Sequence, residues 1–141
     1  MTINFDMDGT IVNLYGVENW LEDLLHESVR PYVEAAPLVN LQALARILNR
    51  LIKSGHTVNI ISWTSRSGSA AYCKEIEAAK IAWLKKHLAS VHFSEIIILP
   101  YGTPKELFAS GLLFDDEKPN RDAWGDGAYT EKEIFKILKS L

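Results

Sequence analysis

Short, β-branched apolar runs separated by stretches of helical periodicity constrain this chain more than any other feature. Thr57 to Ser62 (Thr-Val-Asn-Ile-Ile-Ser) and Glu95 to Leu99 (Glu-Ile-Ile-Ile-Leu) read as buried strands. Thr2 to Asp6 and Gly111 to Phe114 read the same way, and Ala128 with Tyr129 adds a brief edge strand. Strands that alternate with helices call for right-handed crossovers and a mostly parallel sheet covered on both faces. The expected fold is a doubly wound, Rossmann-like, mostly parallel five-stranded α/β sheet. The chain has 141 residues, 48% of them hydrophobic, which suits one domain over residues 1–141 with a real core.

The helices follow from spacing. Leu41, Leu44, Ala45, Leu48, Leu51 and Ile52 mark one helical face, with Asn40 as cap and Gly55 closing the end. From Val17 to about Val29, Trp20, Leu21, Leu24 and Leu25 alternate with acids, which predicts one amphipathic helix stopped by Pro31. Tyr32 to Pro37 is then a connector. Ser69 to about Leu88 is a long helix with Ile76, Ala79, Trp83 and Leu84 inside and Lys74, Lys80, Lys85 and Lys86 mostly outside. Pro119 and Asn120 turn the chain away from the fourth strand, and Thr130 with Glu133 forms a capping box for a last helix.

The strand ends carry the chemistry. In Asn4-Phe5-Asp6-Met7-Asp8-Gly9-Thr10, two carboxylates follow a buried strand and Gly9 permits a sharp turn or a close approach. The strand at Thr57 ends in Ser62, followed by Trp63 and Thr64, and the strand at Gly111 ends in Asp115-Asp116. A parallel sheet gathers these ends on one edge. Lys105 follows Thr103-Pro104 in the first turn of a short helix, where the helix dipole favours anions, so it is placed to meet one. An Asp-rich turn is the plain alternative for the first motif, Thr64 rivals Ser62, and Lys74 and Lys80 rival Lys105.

Four carboxylates in one pocket raise one another's pKa unless a cation is present. With hard oxygen ligands and no nearby His or Cys cluster, Mg²⁺ is the expected ion. Gly9, Thr10, Ser62, Trp63, Thr64 and Lys105 would surround a phosphoryl group, with the lysine and hydroxyl stabilising its charge.

In order, these motifs (Asp6-Met7-Asp8-Gly9-Thr10, the strand ending in Ser62, Lys105, then Asp115-Asp116) resemble those of the haloacid dehalogenase superfamily of phosphohydrolases. The resemblance implies that Asp6 is a nucleophile forming an aspartyl-phosphate and Asp8 an acid and then a base. It also implies Mg²⁺ held by the Asp6 side chain, the Asp8 backbone carbonyl and one of Asp115 and Asp116, with Asp116 preferred. Lys80-Ile81-Ala82-Trp83-Leu84-Lys85-Lys86, Ile96 to Leu99, the spacing from Lys105 to Asp115, and Pro119-Asn120 through Ala123-Trp124 look like the 5'(3')-deoxyribonucleotidase-like group. That implies a nucleotide substrate and 5'-nucleotidase activity. The group's larger cap is here reduced to a small helical insert, residues 13–36. Tyr15 and Trp20 could stack on a base or belong to the core, and Arg66 could touch a phosphate or stay a solvated loop residue.

Other readings remain at this stage. A phosphatase of sugar phosphates, phosphoproteins or nucleic acid ends would use the same residues, and a small cap leaves the pocket open unless another subunit closes it. A non-catalytic nucleotide-binding module is the non-enzyme alternative. A receiver domain fits less well, because no aspartate ends the second or third strand. The formal net charge of -3 gives no footprint for nucleic acid. No run is long and apolar enough for a membrane span, and a lone Cys73, read as a buried filler, fits a reduced, cytoplasmic setting. His26, His56, His87 and His92 have no ligand spacing.

Overall fold

A computed structural model describes residues 1–141. In chain order the strands are β1 (Thr2–Phe5), β2 (Val12–Asn13), β3 (Ala36–Pro37), β4 (Thr57–Trp63), β5 (Glu95–Leu99), β6 (Leu112–Phe114) and β7 (Ala128–Tyr129). The helices are α1 (Trp20–Leu25), α2 (Arg30–Glu34), α3 (Leu41–Lys53), α4 (Ala70–His87), α5 (Lys118–Trp124) and α6 (Ile134–Lys139). The main sheet has five strands in the order β5-β4-β1-β6-β7. Every pairing in it is parallel. The α/β architecture expected from the strand pattern is the one observed.

Residue alternation along the strands sorts the two faces. Ile3 and Phe5 of β1, Val58 and Ile60 of β4, and Leu112 and Phe114 of β6 join Leu44, Leu48 and Leu51 of α3, Trp83 and Leu84 of α4, and Ile134 and Leu138 of α6 in the main core. The opposite face is thinner: Ile61, Leu99 and Leu113 pack against Ala109 and Trp124. Its centre is polar. Asn4 Nδ2 donates to the carbonyls of Ser110 (2.8 Å) and Leu112 (2.9 Å), and Asn59 Nδ2 donates to Asn4 Oδ1 (3.1 Å). These buried amides pin the β5–β6 connection to the sheet, where a longer crossover would have packed a helix.

Asn40 caps α3 by accepting from Ala43 N at 3.0 Å, and the capping box of Thr130 and Glu133 is formed. Two expectations for the insert and one for the loop after β6 are corrected. Residues 17–29 do not form one helix: α1 ends at Leu25, and the left-handed Glu27 (φ 55°) redirects the chain into α2. Pro31 opens α2 rather than stopping a helix, because its missing N–H costs nothing in a first turn. Pro119 likewise sits in the first turn of α5, so Lys118–Trp124 is helix rather than turn. At the base of residues 14–35, β2 and β3 pair antiparallel, Val12 opposite Pro37.

Candidate active site

The direction of the crossovers decides where the site lies. From β1 the chain winds outward through β4 to β5, then returns across the sheet to β6 on the other side of β1. β1 and β6 therefore flank the point where the winding reverses, the usual place for a ligand crevice in an open α/β sheet. Asp6 follows β1 and Asp115-Asp116 follow β6, and Asp6 N donates to Phe114 O at 2.9 Å to hold the two strand ends together.

Beyond Asp6 the chain turns tightly. The amides of Thr10, Ile11 and Val12 all lie 3.0 Å from the carbonyl of Met7. Gly9 has φ +81°, and a Cβ there would lie 2.2 Å from Asp116 Oδ2. Thr10, fully buried, has its hydroxyl 3.1 Å from Asp6 Oδ2 and 3.2 Å from Asp116 Oδ1, and it accepts from Asp116 N at 3.2 Å.

Carboxylate oxygens of Asp6, Asp115 and Asp116 lie within 4.8 Å of one another. Burial, and then the charge of Asp6, push Asp115 up to about 6 and Asp116 up to about 8. Such a trio resists full ionisation at neutral pH without a cation, and its all-oxygen donor set fits Mg²⁺. Asp115 is otherwise engaged: Oδ2 accepts from Lys105 Nζ (2.7 Å) and Asn120 Nδ2 (3.1 Å), and Oδ1 from Glu117 N (2.9 Å). Asp116 is freer.

Two buried lysines serve the acids. Lys105, 3% exposed, donates to Asp6 Oδ1 at 2.9 Å as well as to Asp115. Burial works against its charge, but the two carboxylates outweigh it and push it up to about 12. Lys80, 2% exposed, donates to Asp8 Oδ2 (2.8 Å), Ser62 Oγ (2.7 Å) and the Trp63 carbonyl (2.7 Å). Burial raises the Asp8 pKa, against the pull of Lys80 in the other direction. The side chain of Asp8 thus stands apart from the trio.

Above these groups opens a cavity of about 390 Å³, lined by Asp6, Asp8, Ser62, Trp63, Thr64 and Lys105 at its base. Tyr15, Trp20, Leu21, Leu24, Leu25 and Tyr32 form the wall from the insert, and Arg66 and Tyr101 the facing rim. Trp20 packs edge-on to Tyr15 with centroids 4.9 Å apart, and α1 has no buried residue, so Trp20 is cavity wall rather than core. Glu27 ties the insert across to α4, accepting from Ser69 Oγ (2.6 Å) and Ser69 N (3.1 Å).

No protein-family model matches the sequence, and no curated protein matches it. Solved structures do. The D,D-heptose 1,7-bisphosphate phosphatase of B. bronchiseptica, complexed with magnesium and phosphate, matches with TM-score 0.58 and 12% identity, covering 99% of this chain and 99% of that one. The enzyme of Burkholderia thailandensis matches with TM-score 0.57 and 12% identity, covering 99% and 96%. The chain shares the Rossmann-like α/β fold of these two proteins. At this identity the likeness speaks to the fold alone.

In this fold, Asp6, Asp8, Ser62, Trp63, Thr64 and Lys105 come together at the cavity, while Gly9, Thr10, Asp115 and Asp116 sit behind them. Lys80 corrects the expectation of a solvated lysine. Its spacing held the signal, because Ile76, Ala79, Lys80, Trp83 and Leu84 share one helical face and all are buried. Tyr32, Tyr101 and Asn120 were also missed, since two helices of five and seven residues and one turn are too short to show a periodicity. Cys73 is half-buried, its Sγ 3.9 Å from Gly68 O, not a core filler.

Proposed function

We propose that this chain is a Mg²⁺-dependent phosphomonoesterase working through an aspartyl-phosphate on Asp6, with a nucleoside monophosphate as substrate and residues 13–36 as a small cap. The observation that carries the chemistry is Lys105, bonded to both Asp6 and Asp115 beneath an aromatic-walled cavity. Bound by Asp6, Asp116 and the Asp8 carbonyl, Mg²⁺ would neutralise charge on the phosphoryl oxygens.

The chain's own residues do the rest. A carboxylate oxygen of Asp6 attacks phosphorus, and the bond from phosphorus to the leaving oxygen breaks as the new one forms. The Asp8 carboxyl, its pKa raised by burial, gives that oxygen its proton. The resulting Asp8 carboxylate then takes a proton from water, which attacks the same phosphorus. The bond to Asp6 breaks, inorganic phosphate leaves, and both acids return to their starting forms. Lys105 and the Ser62 hydroxyl stabilise the charge on the transferring group.

The nucleotide reading rests on the wall. Tyr15, Trp20, Tyr32, Trp63 and Tyr101 offer flat apolar rings to a base, and the cavity lies in the size range of small-ligand sites. A sugar phosphate is the second reading, because Ser65, Arg66, Ser67, Glu117 and Asn120 of the same cavity offer polar partners to sugar hydroxyls. The test is phosphate release from ribo- and deoxyribonucleoside monophosphates, sugar phosphates and p-nitrophenyl phosphate, with Mg²⁺ or EDTA, for wild type and Asp6→Asn. Mg²⁺-dependent release that is fastest on a nucleotide and lost in Asp6→Asn is expected. Preference for a sugar phosphate would keep the chemistry and discard the nucleotide, and turnover by Asp6→Asn would discard the covalent route.

A further inference from the structure

The reaction as written uses one buried lysine, yet the fold buries two. An ammonium has three N–H donors and no acceptor. Lys80 has three acceptors at 2.7–2.8 Å, the Asp8 and Ser62 side chains and the Trp63 carbonyl, so none of its hydrogens is left for a substrate. Lys105 has two, on Asp6 and Asp115, and keeps one N–H for a phosphoryl oxygen. The two lysines therefore differ in kind. Lys105 can touch the substrate, and Lys80 can do so only by giving up a bond in a site that is 2% exposed.

Those bonds have directional consequences. Ser62 Oγ accepts from Lys80, and its single proton must point elsewhere; Ser62 lines the cavity, so that proton is available to a phosphoryl oxygen. Asp8 Oδ2 is tied to Lys80, while Asp8 Oδ1 makes no hydrogen bond and its side chain, 16% exposed, lines the same cavity. The free oxygen is the one that can reach a leaving group. Tyr32 of the insert closes the other side, its ring centroid 5.5 Å from Lys80 Nζ.

We propose that Lys80 is a positioning residue: one saturated ammonium sets both the donor direction of Ser62 and the orientation of Asp8, coupling phosphate binding to leaving-group protonation. This rests on the phosphatase reading above. The role can be separated from folding by leaving-group dependence. An alkyl phosphate needs its leaving oxygen protonated, whereas p-nitrophenolate departs without help.

The experiment compares wild type, Lys80→Met and Lys80→Arg on p-nitrophenyl phosphate and on the alkyl monophosphate that wild type hydrolyses fastest, at saturating Mg²⁺. Lys80→Met is expected to lose about 100-fold or more in kcat/KM on the alkyl ester, the scale of a lost general acid, and about tenfold or less on the aryl ester, since kcat/KM ends at the loss of the leaving group and leaves out the water step that Asp8 also serves. KM should rise on both, as Ser62 loses its fixed donor direction. Lys80→Arg, which keeps the charge but not the threefold fit, should recover part of the alkyl rate. An equal loss on both esters would overturn the inference, since a smaller folded fraction lowers both rates alike. If Lys80→Met does not fold, the alkyl-to-aryl ratio of Lys80→Arg decides: a fall against wild type supports the role and an unchanged ratio overturns it. Wild type inert on both esters would overturn the phosphatase reading itself, a result distinct from turnover with an unaltered ratio.

Discussion

Gly9 and Gly55 share a left-handed backbone, with φ +81° and +97°, but not a neighbourhood. A Cβ at Gly55, just past the end of α3, would meet nothing within 4 Å, and one at Gly9 would collide with the Asp116 carboxylate. Replacing each with Ala separates the two effects. Gly55→Ala should cost about 1 kcal/mol of backbone strain. Gly9→Ala should cost a further ~1–3 kcal/mol for the overlap, and it should raise the Mg²⁺ concentration needed for half-maximal activity while Gly55→Ala leaves that unchanged. Denaturant melts and Mg²⁺ titrations measure both. The glycine after the two acids was legible as a turn or a close approach, but a strand-end motif alone does not say which side chain comes close. That fact belongs to Asp116, more than a hundred positions along the chain.

At the scale of elements, α4 carries the most. Its Trp83 and Leu84 join the main core, and its Tyr72, Ile76 and Ala79 pack with Leu14 and Tyr32 of the insert. All of these lie on one helical face, and the charged residue among them breaks its apolar pattern, which is why the helix was legible as a helix but Lys80 read as solvated. Trp83 Nε1 donates to Ala35 O at 2.8 Å and Tyr72 Oη to Ser28 O at 2.8 Å, so α4 holds the insert at two points. Burial, and then the charges of Glu27 and Asp23, push the Tyr72 phenol up to about 12. A proton held more tightly when folded stabilises the fold fully below the ordinary value of 10.0, and this is lost as pH rises through 12. Tyr72→Phe should therefore lower stability by about 1 kcal/mol at pH 8, yet lose less than wild type between pH 10 and pH 12. Thermal melts across that range test the sign, and a steeper alkaline loss in the variant would contradict it. The insert was less legible, because its turn at Glu27 uses a left-handed residue that is not glycine, and Pro31 fits the start of a helix as well as its end.

Across the whole molecule, the site is also a junction of the fold. Asp6 follows β1, Ser62 lies in β4, Lys105 in the β5–β6 connection and Asp115 behind β6, and these elements meet through the sheet, through the side-chain bonds of Asn4 and Trp63 to the connection, and in the ionic cluster. The parallel order was readable from alternating strands and helices, since handed crossovers leave few alternatives. The thin face was not, because buried Asn4 and Asn59 look like breaks in a strand until the carbonyls they satisfy are known. A cluster that joins so many elements, and in which Asp115 and Asp116 resist ionisation, ties ligand binding to global stability. A ligand present at about a hundred times its Kd stabilises by about 2.7 kcal/mol, which for a chain of this size raises Tm by roughly 5–11 °C. Mg²⁺ with beryllofluoride, which mimics a phosphorylated carboxylate, should produce a shift of that order in wild type. Mg²⁺ alone should produce less, and Asp6→Asn should show no gain from beryllofluoride, because the amide cannot supply the oxygen the mimic bonds to. An equal gain in Asp6→Asn would mean that the anion binds elsewhere, and would remove Asp6 as the acceptor even if phosphate release were retained.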